Sequence, residues 1–197
     1  PAVAGRNWGN FGSTNASDIN NGGQWAARAT LNAPTTDDSI IVKNGTDLVA
    51  REGSPVAALP SFNFTGFGTG AVKIDDAGNV FYYGVWNDTD TSRNAGLFRN
   101  GELLVQKGVT TVPSGELITD IAGVQDNFSI SRNGRYLVFE GDVTDLSSFV
   151  RRGTILVDLG GCPADFNGSG AVTVQDIFDF LTAYFANDPA ADFNGQN

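Results

Sequence analysis

The sequence predicts a mainly β chain of repeated antiparallel units, followed by a small helical module. Three observations support this: short apolar runs alternate with turn residues, two turn motifs recur at a fixed spacing, and the composition changes abruptly after Gly160-Gly161. The 197 residues are 41% hydrophobic, enough to bury one core and a small second one. No apolar run approaches the roughly 18 residues of a membrane-spanning helix, so membrane insertion is not expected.

The repeat is defined by turn motifs. Residues 20–23 (Asn-Asn-Gly-Gly), 75–78 (Asp-Asp-Ala-Gly) and 131–134 (Ser-Arg-Asn-Gly) each end in glycine, and these glycines are 55 and 56 residues apart. A second motif keeps the same step, because Asn44-Gly45 and Asn100-Gly101 each lie between two apolar runs. Glycine and asparagine adopt the positive φ that a tight reversal requires, so both motifs predict turns between strands.

This period predicts the architecture. A meander of three or four strands is typical of one propeller blade, so we predict a propeller-like array over residues 1–160. Its units fall at about 7–60, 61–116 and 117–160, and in the last one the pattern degenerates to residues 154–157 (Thr-Ile-Leu-Val). Closed propellers usually contain roughly four to eight blades, so three units would leave strand edges with unpaired N–H and C=O groups.

Those edges could be covered in three ways: by an unusual packing within the chain, by lost N-terminal units, or by another copy of the protein. We favour another copy. Head-to-tail pairing that does not close would make a filament, whereas pairing that closes would make a ring or a dimer.

The units resemble the tandem repeats with an Asn-x-x-Gly-x-x-x-Phe signature that occur in exported bacterial proteins. The resemblance covers about residues 7 to 160, and the first signature position holds Asn20, Asp75 and Ser131. It implies a propeller-like β architecture and a secreted, extracellular or cell-surface location, and it assigns no catalytic residue. The chain also begins at Pro1 rather than Met, so we expect that an export signal has been removed.

Residues 165–176 have the spacing of a 12-residue calcium loop, with Gly170 at the sharp turn of position 6. Calcium takes six to eight hard oxygen ligands, and Thr173 would act through water. The low charge of the loop predicts an affinity of roughly 10⁻⁴ to 10⁻³ M. An Asx-rich turn that caps a helix without metal is the alternative. The predicted ligands are Asp165, Asn167, Ser169, the Ala171 carbonyl, Thr173 and Asp176.

A helix is predicted after the loop, because apolar residues recur at helical spacing from Ile177 to Phe185. Its apolar face needs a partner: a sister helix, the β repeats or another protein. Asp188-Pro189 should stop the helix, and Ala-Asp-Phe-Asn-Gly then recurs 27 residues after its first copy. This second, incomplete loop places Asp192, Asn194 and Gln196 at ligand positions, and we expect the natural protein to continue past Asn197.

The Cys-Pro opening, the loop, the helix and the repeated Ala-Asp-Phe-Asn-Gly resemble dockerin-type modules of exported bacterial proteins, particularly the planctomycete kind. The resemblance covers about residues 162 to 197. It implies calcium-stabilised docking or surface anchoring, with a cohesin-like or glycan partner. Because the planctomycete modules close near a second Cys, it also implies a disulfide partner for Cys162 beyond this sequence. A free thiol is the alternative.

Composition excludes several functional classes. The net charge of −10 would repel phosphate backbones, so nucleic acid is not an expected partner. The absence of His removes Ser-His-Asp and Cys-His nucleophiles and the usual transition-metal sites. The carboxylate pairs that remain lie at predicted turns, where Asp is favoured for local hydrogen bonding, so we predict no enzyme activity. These pairs are Asp37 with Asp38, Asp75 with Asp76, and Asp88 with Asp90.

The sequence therefore predicts a non-catalytic extracellular structural protein that self-associates as a filament or another homo-oligomer, with Ca²⁺ as its ligand. The alternative is a carbohydrate- or protein-binding adhesion module anchored at the cell surface. Exposed aromatic side chains would stack on sugar rings, whereas strand aromatics normally pack in the core, which we favour. The aromatic residues concerned are Trp8, Trp25, Tyr82, Tyr83 and Trp86.

Overall fold

A computed structural model describes residues 3–9, 16–32, 34–124, 126–145, 149–160, 166–167, 173–188 and 191. The chain divides into two compact units, Pro1–Asp158 and Leu159–Asn197. The described part of the first unit is built from antiparallel strands, and that of the second contains helix α1 (Val174–Phe185). The predicted mainly β chain with a short C-terminal helix is confirmed at this level.

The first sheet is a four-stranded antiparallel meander in chain order. Its third strand is completely covered: Ile40, Ile41 and Val42 have no exposed surface. The fourth strand pairs with it through a ladder that contains a bulge at Ile41/Val42. The strands are β1 (Ser17–Ile19), β2 (Trp25–Thr30), β3 (Ser39–Lys43) and β4 (Asp47–Arg51).

The second sheet repeats this meander and adds a hairpin. The hairpin strands run along the far end of the central strand, where Phe64 pairs with Trp86. The meander is β7 (Val72–Ile74), β8 (Val80–Trp86), β9 (Ala95–Arg99) and β10 (Glu102–Gln106), and the hairpin is β5 (Pro55–Val56) and β6 (Leu59–Gly66).

The third sheet contains four described strands, arranged around one long central strand. A nine-residue strand at its margin pairs with the central strand in an unbroken antiparallel register. The strands are β11 (Leu117–Ile121), β12 (Phe128–Ile130), β13 (Tyr136–Thr144) and β14 (Val150–Asp158).

The three sheets are copies of one pattern. The first strands of their meanders begin at Ser17, Val72 and Phe128, which are 55 and 56 residues apart. Strands β3, β9 and β14 are likewise equivalent, since each pairs with the second strand of its meander. The fourth position is filled by β4 and β10 in the first two sheets, and no described strand fills it in the third.

Each glycine-ended turn has the same local structure. Gly23, Gly78 and Gly134 have φ values of 76°, 83° and 72°, which glycine adopts without strain. The residue at the first turn position uses its side-chain oxygen to accept a backbone N–H four or five residues ahead, which explains why Asn, Asp and Ser alternate there. The bonds run from Gln24 to Asn20 at 2.9 Å, from Asn79 to Asp75 at 2.7 Å and from Tyr136 to Ser131 at 2.8 Å.

The same three turns contact one another and link the sheets. Asn20 Nδ2 donates a hydrogen bond to the Asp75 carbonyl at 2.8 Å. The Asp76 N–H donates to the Arg132 carbonyl at 2.7 Å. The Arg132 guanidinium in turn donates to the Ile19 carbonyl at 2.9 Å. These bonds hold the three repeats together at this end of the sheets.

The largest core lies around the second sheet and is rich in aromatic rings. Phe98 has no exposed surface, and its ring stacks on Tyr82 at 5.3 Å and contacts Phe64 edge-on at 5.3 Å. Trp86 meets Phe98 edge-on at 6.0 Å. Burial raises the pKa of Tyr82. Among the described helical residues, none form a helix long and apolar enough to cross a membrane.

Candidate functional site

The described part of the predicted calcium loop centres on Asp176, the residue at position 12. Its carboxylate is only 2% exposed and lies against two other predicted ligand positions. The backbone N–H of Asn167 donates to Oδ1 at 3.2 Å. The backbone N–H and the hydroxyl of Thr173 donate to Oδ2 at 2.7 and 3.0 Å. Positions 3, 9 and 12 of the loop are therefore together in space.

These contacts also cap helix α1. Thr173 has the extended backbone of an N-cap residue, and Asp176 at the third helical position returns a bond to its N–H, as in a capping box. A carboxylate in the first turn also interacts favourably with the helix dipole. One set of residues thus suits both readings of the sequence: a calcium loop, and an Asx-rich turn that caps a helix.

A calcium ion would fit the chemistry of this arrangement. Asp176 offers a nearly buried carboxylate held by neutral donors, and Asn167 offers an amide oxygen while its Nδ2 donates to Asp179 at 2.9 Å. Hard oxygens of this kind are the ligands that calcium takes. Within the described ranges no group of three or more acidic, Cys or His side chains could hold a metal. The other predicted ligands lie outside the described residues: Asp165, Ser169, Ala171, Asp192, Asn194 and Gln196.

Helix α1 carries a row of exposed apolar side chains. Ile177 and Phe178 are each 58% exposed, and Phe185 is 77% exposed. On another side of the helix, Phe180 packs edge-on against Phe166 at 5.6 Å. The sequence predicted that this apolar face needs a partner, which stays a prediction.

Carboxylates of the candidate pairs form ion pairs and hydrogen bonds within the chain. Asp37 is bonded to Arg51 at 2.7 Å, and the buried Asp88 is bonded to Arg93 at 2.9 Å. Asp75 is 1% exposed, and both of its oxygens accept hydrogen bonds from Asn79, at 2.7 and 2.8 Å. These contacts give the carboxylates structural roles at turns, as the sequence led us to expect.

The aromatic candidates for sugar stacking divide into two groups. Trp86 and Tyr82 are each 1% exposed and belong to the core of the second sheet. Trp25 is 39% exposed and covers the turn at Gly45, where an added Cβ would meet its ring at 3.3 Å. Trp86 and Tyr82 therefore present no stacking surface.

The margin of the third sheet is a second candidate site. The equivalent strands β3 and β9 are mostly buried and pair with β4 and β10 at their outer edges, whereas most of β14 is exposed. Leu156, Val150 and the preceding Phe149 are 66%, 56% and 66% exposed. Strand β14 therefore presents both its apolar side chains and its backbone edge.

Hydrogen bonds along the other edge of β13 show which backbone groups of β14 point outward. Glu140 N–H donates to Asn127 and Glu140 C=O accepts from Ala122, both at 3.1 Å, so this residue faces away from β14. Its cross-strand neighbour Thr154 must then direct its own N–H and C=O away from β13, since antiparallel pairs alternate. The same holds at Arg152 and Leu156, and no described strand pairs with the outward groups of these three residues.

A groove of about 410 Å³ lies along this margin. It is lined largely by apolar groups, among them Val112, Pro113, Val143 and Ile155. The bordering arginines are engaged within the chain: Arg152 pairs with Asp142 at 2.9 Å, and Arg151 pairs with Glu116. The groove and the outward backbone groups form one continuous surface along β14.

Sequence reasoning predicted uncovered edges but did not locate this one, although a signal was present. Asn44 and Asn100 bond to Trp25 and Val80, the first residues of β2 and β8, and Asp158 lies opposite the equivalent first residue of β13, Tyr136. The third repeat thus has Asp158-Leu159 where the others have Asn-Gly, and β14 ends at that position. The third repeat therefore lacks the Asn-Gly motif that leads into the fourth strand of the other two sheets.

No protein-family model matches this chain, and comparison with curated proteins and with solved structures gives no significant match.

Proposed function

We propose that this chain is a non-catalytic structural protein, located outside the cell or on its surface, that self-associates through the edges of its β repeats. The observation that carries the proposal is the margin of the nine-residue strand β14, where no described strand takes the place of the fourth strand of the two other sheets. An exposed strand edge is a template for pairing with another chain.

The contrast with the other sheet margins supports this proposal. Strands β4 and β10 are five residues long, and bulges interrupt the ladders that hold them. Short, bulged edge strands are a common protection against pairing with other chains. Strand β14 is longer, pairs with β13 without a register shift and carries exposed apolar residues. Of the sheet margins described, it is the one suited to accept a strand.

The finer architecture belongs to the same proposal. Three meanders that contact one another through equivalent turns support a propeller-like array. In the second unit, the contacts of Asp176 with Asn167 and Thr173 support a calcium-stabilised, dockerin-like loop and helix. The exposed apolar row on α1 would supply a second adhesive surface in the calcium-bound module.

Sedimentation velocity and electron microscopy of the full chain, with calcium and with a chelator, would test the proposal. We expect species larger than the 20.7 kDa monomer, with a distribution that shifts when calcium is removed. Asp176→Asn removes charge from the loop, and Asp90→Asn is the matched control, because Asp90 is a half-exposed carboxylate of the first unit bonded to Ser92. Monodisperse monomers in both conditions would eliminate the proposal.

A further inference from the structure

We propose that β14 pairs with β14 of a second copy, antiparallel and across a twofold axis that passes through Thr154. This rests on the proposed function and deepens it, because it names the partner, the strand and the register. The result is one continuous sheet through two molecules.

The first two sheets show that this margin accommodates a strand. Leu103 and Val105 of β10 lie opposite Phe98 and Leu97 of β9, and β4 covers β3 in the same way. Among the described residues, none provides the equivalent strand for β14. Residues 160–164 (Gly-Gly-Cys-Pro-Ala) occupy the sequence positions equivalent to the Glu-Leu-Leu-Val-Gln of β10. Glycine weakens strands and proline lacks an N–H, so this segment is a poor fourth strand.

The register follows from the direction of the backbone groups. Thr154 points its N–H and C=O outward, so a twofold axis at this residue pairs it with its own copy through two hydrogen bonds. Arg152 then lies opposite the partner's Leu156, and Val150 lies opposite the partner's Asp158. All of these residues are an even number of positions from Thr154, so their backbone groups point to the same side of the strand. The ladder therefore forms roughly six or more backbone bonds without a bulge.

The side chains are complementary in this register. Arg152 stands on the same face as the partner's Asp158 and diagonally next to it, which is within reach of a long side chain. Val150 stands diagonally next to the partner's Leu156, so two side chains that are 56% and 66% exposed in one copy cover each other in the pair. Strand β14 has its arginines near one end and Asp158 at the other, so antiparallel pairing brings opposite charges together.

The intramolecular ion pairs are compatible with this arrangement. Asp158 already accepts bonds from Arg135 at 3.0 Å, and Arg152 already pairs with Asp142 at 2.9 Å. Pairing would extend these contacts into a network of alternating charges across the new ladder, and such networks contribute more than isolated surface pairs. The contact is also isologous, so it closes after two copies, and the β14 edges of both copies are then paired.

The central experiment places proline where the N–H points outward. Thr154→Pro removes a donor that no described residue uses, and edge strands tolerate proline at such positions. In the pair it removes both bonds at the axis, so we expect the dissociation constant to rise about thirtyfold or more. Thr154→Ala keeps the N–H and is the matched control, which should still dimerise. Tryptophan fluorescence reports whether each variant is folded, because all three Trp residues lie outside β14.

Cysteine cross-linking tests the register in a Cys162→Ser background. At the axis the two Cα atoms of residue 154 would lie ~5.5 Å apart, within the disulfide range, so Thr154→Cys should form a covalent dimer upon oxidation. Leu156→Cys is the control, because its two copies would be separated by about 13 Å along the ladder. Cross-linking at Leu156→Cys and not at Thr154→Cys would overturn the register proposed here.

The outcomes separate this inference from the proposed function. Dimers of the 20.7 kDa chain that dissociate in Thr154→Pro and cross-link in Thr154→Cys support both. An oligomer that keeps its mass in Thr154→Pro and does not cross-link through residue 154 overturns the β14 pairing and leaves self-association in place. A full chain that remains monomeric at every concentration, with and without calcium, overturns both.

Discussion

Two matched glycine substitutions can test how tightly the turns of the second and third repeats pack, because the packing should appear as a difference in the free energy of unfolding. Gly134 and Gly23 occupy the same turn position and have φ values of 72° and 76°. Replacing either by alanine forces a side chain into the left-handed region, which costs about 1–2 kcal/mol. The change in unfolded-chain entropy is also the same for both. These contributions cancel when the two variants are compared.

The surroundings of the two glycines differ. An added Cβ at Gly23 meets no atom within 4 Å, whereas one at Gly134 would overlap Asp75 Oδ2. Asp75 is 1% exposed and is held by Asn79, so it cannot move aside without losing hydrogen bonds. Overpacking of this kind costs ~1–3 kcal/mol. We therefore expect Gly134→Ala to destabilise the first unit by about 1–3 kcal/mol more than Gly23→Ala does.

Urea unfolding followed by tryptophan fluorescence is a suitable assay, because Trp8, Trp25 and Trp86 all belong to the first unit. The expected result is a lower midpoint for Gly134→Ala with an unchanged slope, which indicates a change in stability alone. If the two variants have the same free energy of unfolding within about 0.5 kcal/mol, the turns do not pack as described.

Further predictions concern the core, the pH dependence and the calcium loop. Trp86→Ala should destabilise the first unit by ~3–5 kcal/mol in thermal or urea unfolding, whereas Trp25→Ala, at a partly exposed site, should cost much less. Burial, with nearby acidic residues, raises the pKa of Glu52, so its contribution to stability is present below the unfolded pKa and is lost as the pH rises through the folded value. Glu52→Gln should therefore be the more stable form at pH 7, and the difference should vanish in unfolding experiments below about pH 4. Asp176→Asn should weaken calcium binding in titration calorimetry and lower the helicity of the second unit, and a variant with wild-type affinity would contradict the role of this carboxylate.

Much of the fold was predictable because turn chemistry is local. Asn44 and Asn100 have φ values of 52° and 49°, and each precedes a glycine of positive φ, so the sequence motif and the backbone agree directly. The glycines at 23, 78 and 134 mark equivalent turns for the same reason. Fixed spacing between such motifs then implies repeated strands, which the three sheets contain.

What the sequence did not reveal depends on partners distant along the chain. The burial of Asp75 follows from contacts with the turn of another repeat, and no local pattern encodes it. Likewise, residues 154–157 look like a degenerate strand, but their exposure depends on whether a fourth strand forms. For the calcium loop, the spacing predicted that Asn167, Thr173 and Asp176 would cluster, and the structure brings these three together.

The bond from Arg132 to Ile19 joins residues 113 positions apart and has a consequence for biosynthesis. The junction of the three repeats cannot assemble until two thirds of the chain has been synthesised, and long-range closure of this kind slows folding. The first two repeats therefore remain incompletely packed until the third has been synthesised. We expect chaperones to bind the chain during synthesis. Chains truncated before residue 132 should show no cooperative change in tryptophan fluorescence upon unfolding.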